Sequence, residues 1–327
     1  MWSYSSCQVQ GRGHNKNQIP CQDKTKTIFK NGVYVIALAD GAGSAKLSHF
    51  GALCVVESVT ELISENFDIL FSMEDGRQVK KIIVEKLVSD IEIKAQELDC
   101  TPKDLASTML VVAVSQDRYI IAHVGDGVIG YLDGVGLKVA SAPSNGEYAN
   151  ETYFITSIDA ISKMKLFKGN LNNIAGFVVM SDGTEQSLYN KKNNTLSPAI
   201  IKLMQRNIIL DEHAMSSQLR TTFENVITTK TFDDCSIALL SRENKILHSF
   251  SQLNYKQKCE LYMIKFHDKS AKKRTMRYDS IIELLQKPLT CCAVSNKIHL
   301  PPKYTKKHLE HLRVIGLIKF TNGFYYT

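Results

Sequence analysis

The chain has 327 residues, of which 44% are apolar and 22% are charged, as in ordinary globular proteins. No apolar stretch reaches the roughly 18 residues of a membrane-spanning helix, and the first residues lack the layout of a signal peptide. We therefore predict a cytoplasmic protein without membrane association. Its eight cysteines form no CxxC pair and are expected to be free thiols.

Charge is unevenly divided along the sequence. The net charge is +7, yet residues 242–327 hold 17 Lys and Arg against 6 Asp and Glu, so the remainder is slightly acidic. An acidic body with a basic terminal region predicts two domains with different partners. We expect one domain over 1–241, a connector over 242–274 and a basic domain over 275–327.

Short apolar segments rich in Val, Ile and Tyr alternate with polar turns over the first 240 residues, which is typical of β-strands. The predicted strands are Thr27–Phe29, Val33–Ala39, Thr108–Ser115, Tyr119–Val124, Val128–Leu132, Phe177–Met180 and Cys235–Leu240. Asp133-Gly134 indicates a hairpin and hence antiparallel pairing. Apolar residues at helical spacing predict helices within Ser48–Asn66 and Val79–Leu98. The predicted fold class is α+β, a four-layer α-β-β-α sandwich of two antiparallel sheets.

After Tyr278 the pattern changes to short helices and a hairpin. The predicted elements are helices around Ile281–Leu285, Thr290–Ile298 and Lys303–Val314, then strands over Leu317–Phe320 and Phe324–Tyr326. The two strands are joined by Asn322-Gly323, the strongest short-range hairpin signal. Three helices followed by a hairpin predict a small winged-helix-like C-terminal domain.

The last of these helices is crowded with basic residues: Lys303, Lys306, Lys307 and Arg313. In a winged helix this element often enters the major groove of DNA, where lysines neutralise phosphates. Winged helices also bind proteins, and a basic helix can simply be a solvated face. We expect the C-terminal domain to bind either a protein partner or nucleic acid, and the residues leave that choice open.

Four acidic motifs each stand at the end of an apolar segment. They are Asp40-Gly41-Ala42-Gly43-Ser44, Gly125-Asp126-Gly127, Ser181-Asp182-Gly183 and Asp233-Asp234-Cys235-Ser236. Each alone would more often be an ordinary turn. Carboxylates beside glycines, where the backbone can come close, are what a hard cation needs. If the four converge, they form a carboxylate cage for Mg²⁺ or Mn²⁺.

As a set, these motifs resemble the protein phosphatase 2C family of metal-dependent serine/threonine phosphatases. The resemblance runs from about Gly11 to Leu240 and includes Ala106-Ser107-Thr108 before an apolar strand. The segments similar to the bacterial branch are Gly13-His14-Asn15, Pro20-Cys21-Gln22-Asp23 and Gly146-Glu147-Tyr148-Ala149-Asn150-Glu151-Thr152. The resemblance implies a two-metal cleft at one end of the sandwich, where a metal-activated water hydrolyses phosphoserine or phosphothreonine in a phosphoprotein substrate.

The resemblance also implies roles for individual residues. The implied metal-site residues are Asp40, Gly41, Asp182, Asp233, Asp126 and Asp23. Asp40 would bridge two ions, and Gly41 would bind one of them through its carbonyl. Asp126 would serve a possible third ion, while Asp23 would hold a metal-bound water. Asp40 and Asp182 are therefore expected to be essential for catalysis.

The N-terminal motif departs from the family pattern. Gln22-Asp23 replaces the usual Glu-Asp pair, and no arginine occupies the usual phosphate-clamping place. Arg12, His14 or Lys16 would have to supply that charge, and the sequence does not choose among them. His14 is also a candidate general acid for the leaving group, although a lone histidine is more often structural.

Three functional hypotheses follow. The first is a metal-dependent serine/threonine phosphatase with an appended winged-helix-like domain. The second is a catalytically weak phosphatase-fold binding module that recruits a protein or nucleic acid; Gln22 and the missing arginine favour it, and the four retained aspartates oppose it. The third is a regulatory phosphatase paired with a cognate kinase, for which the basic domain would be the docking element.

Overall fold

The computed structural model describes residues 1–143 and 152–327. It divides into two compact units, one formed by Met1–Ile208 with Leu219–Leu247 and the other by Ile209–Gln218 with His248–Thr327. All eight cysteines are free, as the sequence predicted. None of the helices in the described part of the chain has both the length and the apolar character needed to cross a membrane.

Two five-stranded antiparallel sheets form the centre of the first unit. Its strands are β1 (Trp2–Val9), β2 (Lys24–Lys30), β3 (Val33–Ala39), β4 (Met109–Ser115), β5 (Arg118–Val124), β6 (Val128–Leu132), β7 (Leu137–Ser141), β8 (Lys165–Asn170), β9 (Gly176–Met180), β10 (Tyr189–Asn190), β11 (Thr195–Leu196) and β12 (Cys235–Arg242). One sheet has the order β1-β12-β9-β6-β7 and the other β2-β3-β4-β5-β8, while β10 and β11 form a separate hairpin. Every predicted strand is present, and β1, β7, β8 and the short strands β10 and β11 are additional.

The helices around these sheets are α1 (Arg12–Asn17), α2 (Ser48–Ser72), α3 (Gly76–Glu97), α4 (Ala160–Lys163), α5 (Asp182–Leu188), α6 (Ala199–Ile209) and α7 (Glu212–Thr222). A 3-10 helix spans Pro102–Leu105, and a π-helix spans Phe223–Ile227. Side chains alternate along β3: Val35 and Ala37 pack against α2 and α3, whereas Ile36 and Leu38 pack between the two sheets.

Helix α6 covers the other sheet. Its Asn207 accepts a hydrogen bond from Ser5 Oγ (2.7 Å) and donates to Ser241 Oγ (3.2 Å) and to the Ser3 carbonyl (2.9 Å). Helices therefore flank both sheets, and the predicted α+β sandwich of two antiparallel sheets is confirmed. The two helices predicted from apolar spacing are α2 and α3.

Besides the part of α7 up to Gln218, the second unit contains four helices and a hairpin among its described elements. They are α8 (Tyr255–Leu261), α9 (Ala271–Leu284), α10 (Cys291–Lys297), α11 (Pro302–Val314), β13 (Lys319–Thr321) and β14 (Phe324–Tyr326), with a 3-10 turn at Phe250–Gln252. Asn322 and Gly323 both have positive φ, as a two-residue hairpin turn requires. The element order agrees with a winged-helix-like domain, which stays a prediction.

Part of the predicted connector belongs to this second unit. Leu253, Tyr262 and Ile264 lie in the same apolar core as Ile281 and Leu309. Residues 248–274 are therefore packed together with 275–327, in contrast to the connector expected over 242–274. The sequence reveals this poorly, because the apolar residues there are widely spaced among lysines, glutamines and serines.

Candidate active site

Three carboxylates meet at one end of the first unit's sheets. Strands β3 and β5 both pair antiparallel with β4, so they run in the same direction and end at the same edge. Asp40 follows β3 and Asp126 follows β5, while Asp182 begins α5 after β9. One oxygen of each carboxylate lies within 4.8 Å of the other two. The sequence predicted this convergence, and an all-oxygen cluster of this kind suits Mg²⁺ or Mn²⁺.

Asp23 and Asp233 lie beside this cluster. Asp233 precedes β12, which is antiparallel to β9, so it lies next to the end of β9 that carries Asp182. Asp23 is only 1% exposed, and neither of its carboxylate oxygens has a hydrogen-bond partner among the described residues. A buried carboxylate without a partner is costly, and a divalent cation or its bound water would relieve that cost. These residues therefore fit a metal site.

Burial and mutual repulsion raise the pKa values of these carboxyl groups. Burial, then the charges of Asp23 and Asp182, raise the pKa of Asp40 well above its usual range. The pKa of Asp182 is raised to about 7 and that of Asp23 to about 8, in both cases chiefly by burial and secondly by a neighbouring carboxylate. Burial also raises the pKa of Asp233. Without a metal the cluster thus retains protons near neutral pH, and a dication would replace them.

Thr108 and two glycines fix the backbone at Asp40. Thr108 Oγ1 accepts from the Asp40 N–H, and the Thr108 N–H donates to the Asp40 carbonyl, both at 2.8 Å. A Cβ at Gly41 would lie 2.8 Å from Ser48, and one at Gly125 would lie 2.5 Å from Thr108 Cγ2. Gly125 also has a φ of 125°, which side-chain-bearing residues rarely adopt. The glycines allow the two acidic turns to pack closely.

Asp234, directly before β12, is hydrogen-bonded to the N-terminal segment. Its carboxylate accepts from the N–H groups of Gly11 (2.7 Å) and Gln22 (2.6 Å), and Oδ2 lies 2.9 Å from His14 Nδ1. The Gln22 side-chain amide in turn donates to Ser48 Oγ at 2.8 Å. Gln22 is thus held by α2, while the adjacent Asp23 remains free to face a cation.

The three N-terminal candidates for the missing arginine differ in their surroundings. Arg12 donates to the Thr231 carbonyl (3.2 Å), and its guanidinium lies 4.9 Å from the centre of the Phe232 ring. Lys16 is exposed. His14 lies against Asp234, and its charge also acts on Asp233. Of the three, His14 is held beside the site carboxylates.

The sequence did not indicate Glu185 and Lys191 as site residues, and it indicated Thr152 only as the end of a longer motif. Thr152 donates to Asp126 Oδ2 at 2.6 Å, and Glu185, which is 2% exposed, pairs with Lys191 at 2.5 Å. Glu185 follows Asp182 by three positions, a helical spacing that could have indicated it. Lys191 and Thr152 carry no such local signal. The rest of the motif predicted over 146–152 lies outside the described residues.

The chain is similar in sequence to known phosphatases. The family model for protein phosphatase 2C matches residues 10–224, which is more than half of the chain. Serine/threonine-protein phosphatase 3 of Escherichia coli (strain K12) is 28% identical over 202 residues, covering 59% of this chain and 78% of that protein. The range of the family model includes the N-terminal motif and the Asp40, Asp126 and Asp182 segments.

Solved structures show the same fold. A bacterial serine phosphatase superposes with a TM-score of 0.54 at 15% identity, covering 75% of this chain and 99% of that chain. The catalytic domain of PstP, solved in complex with two manganese ions, gives 0.50 at 13% identity, covering 73% and 97%. Together with the family match, this likeness accounts for the two sheets and their flanking helices. The chain belongs to the protein phosphatase 2C family of serine/threonine phosphatases.

Proposed function

We propose that this protein hydrolyses phosphoserine and phosphothreonine in a phosphoprotein, with two Mg²⁺ or Mn²⁺ ions and a possible third. The observation that supports this most strongly is the convergence of Asp40, Asp126 and Asp182 beside the unpartnered, buried Asp23. The two manganese ions of the PstP catalytic domain agree with the proposal. A cytoplasmic location stays a prediction from the sequence.

The proposed residue roles follow the positions described above. The proposed ligands are Asp40, the Gly41 carbonyl, Asp182 and Asp233, with Asp126 for a third ion. When bound, the ions would supply an activated water and positive charge for the phosphate oxygens. Asp23 would accept a hydrogen bond from a water at the site, because both of its oxygens are otherwise without a partner.

His14 is the proposed general acid. Its Nδ1 lies 2.9 Å from Asp234 Oδ2, which places a carboxylate beside the ring, and Nε2 is the atom that would donate a proton to the departing seryl or threonyl oxygen. Asp234 is itself fixed by two backbone N–H groups. The chain thus places a buried carboxylate beside this imidazole.

Asp182→Asn tests the function. We expect hydrolysis of p-nitrophenyl phosphate and of a phosphothreonine peptide to require Mn²⁺, to stop with EDTA, and to fall about 100-fold or more in this variant because a metal ligand is lost. Asp117→Asn, at the exposed β4–β5 turn on the opposite end of the same sheet, is the matched control and should keep full activity. A folded protein without metal-dependent turnover would favour the binding-module alternative.

We also propose that the C-terminal unit is a winged-helix-like docking element. Helix α11 exposes Lys303, Lys306 and Lys307, and the hairpin exposes Phe320 and Phe324. Exposed cations and exposed aromatic rings on one unit suit an acidic protein segment, such as one on a cognate kinase, and also suit nucleic acid. Steep salt-dependent binding of duplex DNA to the full chain would favour nucleic acid, whereas co-purification with a kinase would favour the protein partner.

A further inference from the structure

An ion pair beside the acidic cluster has no role in the chemistry described so far. Lys191 Nζ lies 2.5 Å from Glu185 Oε1; the lysine side chain is 62% exposed and that of Glu185 is 3% exposed. The second carboxylate oxygen, Glu185 Oε2, is buried and has no hydrogen-bond partner within the described ranges. The buried Glu185 carboxylate therefore holds the exposed Lys191 ammonium group in place.

The pair lies close to the proposed metal ligands. Glu185 and Asp182 are three residues apart on α5, so both lie on the same side of that helix. The pKa of Lys191 is raised first by its hydrogen bond with Glu185 and further by the charges of Asp182 and Asp126. Lys191 opens the turn of the β10–β11 hairpin, which begins directly after α5. The ammonium group is thus within electrostatic reach of the carboxylate cluster.

Two cations of the N-terminal segment are already engaged with the protein. Arg12 is held by the Thr231 carbonyl and the Phe232 ring. Lys24 Nζ donates to the carbonyls of Cys21 (2.5 Å) and Asp23 (3.2 Å). Lys191 differs from Arg12 and Lys24 in being paired with a single side chain and exposed to solvent. An ammonium group has three N–H donors, so those not directed to Glu185 face solvent.

We propose that Lys191 is the cation that binds the phosphate group of the substrate, and that Glu185 is a positioning residue that holds it there. This inference rests on the proposed phosphatase function. The phosphate oxygens would take up the open N–H donors of Lys191 as charge-assisted hydrogen bonds, while Glu185 keeps the ammonium beside the cluster. Lys191 thereby supplies the charge that the N-terminal motif lacks.

Lys191→Met in the full-length, Mn²⁺-loaded protein tests this role. We expect KM for a phosphothreonine peptide and the inhibition constant of inorganic phosphate each to rise roughly tenfold or more, the effect of losing one charge-assisted hydrogen bond. The phosphate affinity measured by calorimetric titration should fall equally, whereas Mn²⁺ affinity should not fall, because removal of a positive charge does not weaken binding of a cation. Lys192→Met, at the adjacent exposed residue, should match the wild type, and Lys191→Arg should stay within about threefold of it.

A double variant separates phosphate binding from simple neutralisation of Glu185. If Lys191 only compensated the buried carboxylate, Glu185→Gln combined with Lys191→Met would restore phosphate binding. Under the proposal, the double variant binds phosphate as weakly as Lys191→Met alone. Restored binding in the double variant, or unchanged binding in Lys191→Met, would overturn the inference. If the wild type shows no metal-dependent turnover, the proposed function itself is overturned.

Discussion

Adjacent aspartates at 233 and 234 are used in two different ways. Asp233 joins the acidic cluster, where burial raises its pKa. Asp234 turns inward, where its carboxylate accepts two backbone N–H groups from the N-terminal segment. Asp233 is therefore the proposed metal ligand of the two, whereas Asp234 holds the N-terminal segment against the start of β12.

Asp234→Ala should destabilise the metal-free protein more than Asp233→Asn does. The first change leaves the buried N–H groups of Gly11 and Gln22 without acceptors, at a cost of about 1–3 kcal/mol each. The second removes a carboxyl whose ionisation the metal-free site already opposes. Urea unfolding in EDTA measures both free energies. Equal losses in the two variants would contradict the assignment.

The raised pKa of Asp23 predicts a specific pH dependence of stability. Its folded-state pKa of about 8 exceeds the value of about 3.9 in an unfolded chain, so between these pH values the folded protein binds a proton that the unfolded chain has lost. The stability of the metal-free protein should therefore fall as pH rises toward 8. Thermal unfolding in EDTA at pH 6 and pH 8 measures this fall, and Asp23→Asn should reduce it. A metal-free Tm that rises over this interval would count against the prediction.

Residues whose roles follow from a local pattern were predictable, and residues brought together by the turn between two elements were not. Asp40, Asp126 and Asp182 each follow an apolar strand and adjoin a glycine, so a short window of sequence indicates them. Lys191 reaches Glu185 only because a hairpin follows α5. No periodicity in the sequence encodes that pairing.

At the level of elements, the strands that the sequence did not reveal are all at sheet edges. Strands β1, β7 and β8 each have a single neighbour. Strand β8 has no buried residue, whereas every residue of the central strands β4 and β9 is buried. An edge strand retains polar side chains because it borders solvent, and its apolar pattern is correspondingly weak. Central strands were predictable because burial on both faces requires continuous apolar sequence.

Helix α2 approaches the 3-10 helix at Pro102–Leu105 so closely that it needs a glycine. A Cβ on Gly51 would lie 1.9 Å from the Leu105 carbonyl oxygen. Gly51→Ala should therefore lower the free energy of unfolding by about 1–3 kcal/mol, despite the better helix propensity of alanine. Gly76→Ala in α3 is the matched control, since its Cβ would meet only Leu166 Cδ2 at 3.6 Å. Denaturant unfolding that ranks the two variants in the opposite order would refute this.

For the whole molecule, the two units have separate apolar cores and different chemistry. The first unit has a core beneath α2 and α3 and another between its sheets. The second unit has its own core, built around Tyr262 and Tyr278. All of the carboxylates proposed as metal ligands belong to the first unit, whereas the C-terminal region carries the excess of basic residues.

Metal binding should therefore stabilise one unit and not the other. A ligand that binds only the folded state adds about 2.7 kcal/mol of stability at a hundredfold excess over its Kd. We expect calorimetry in EDTA to resolve two unfolding transitions, of which Mn²⁺ raises only the one belonging to the first unit, and we expect Asp182→Asn to abolish that rise. A single transition that moves as a whole with Mn²⁺ would contradict this prediction, because it would show that the chain unfolds as one cooperative body.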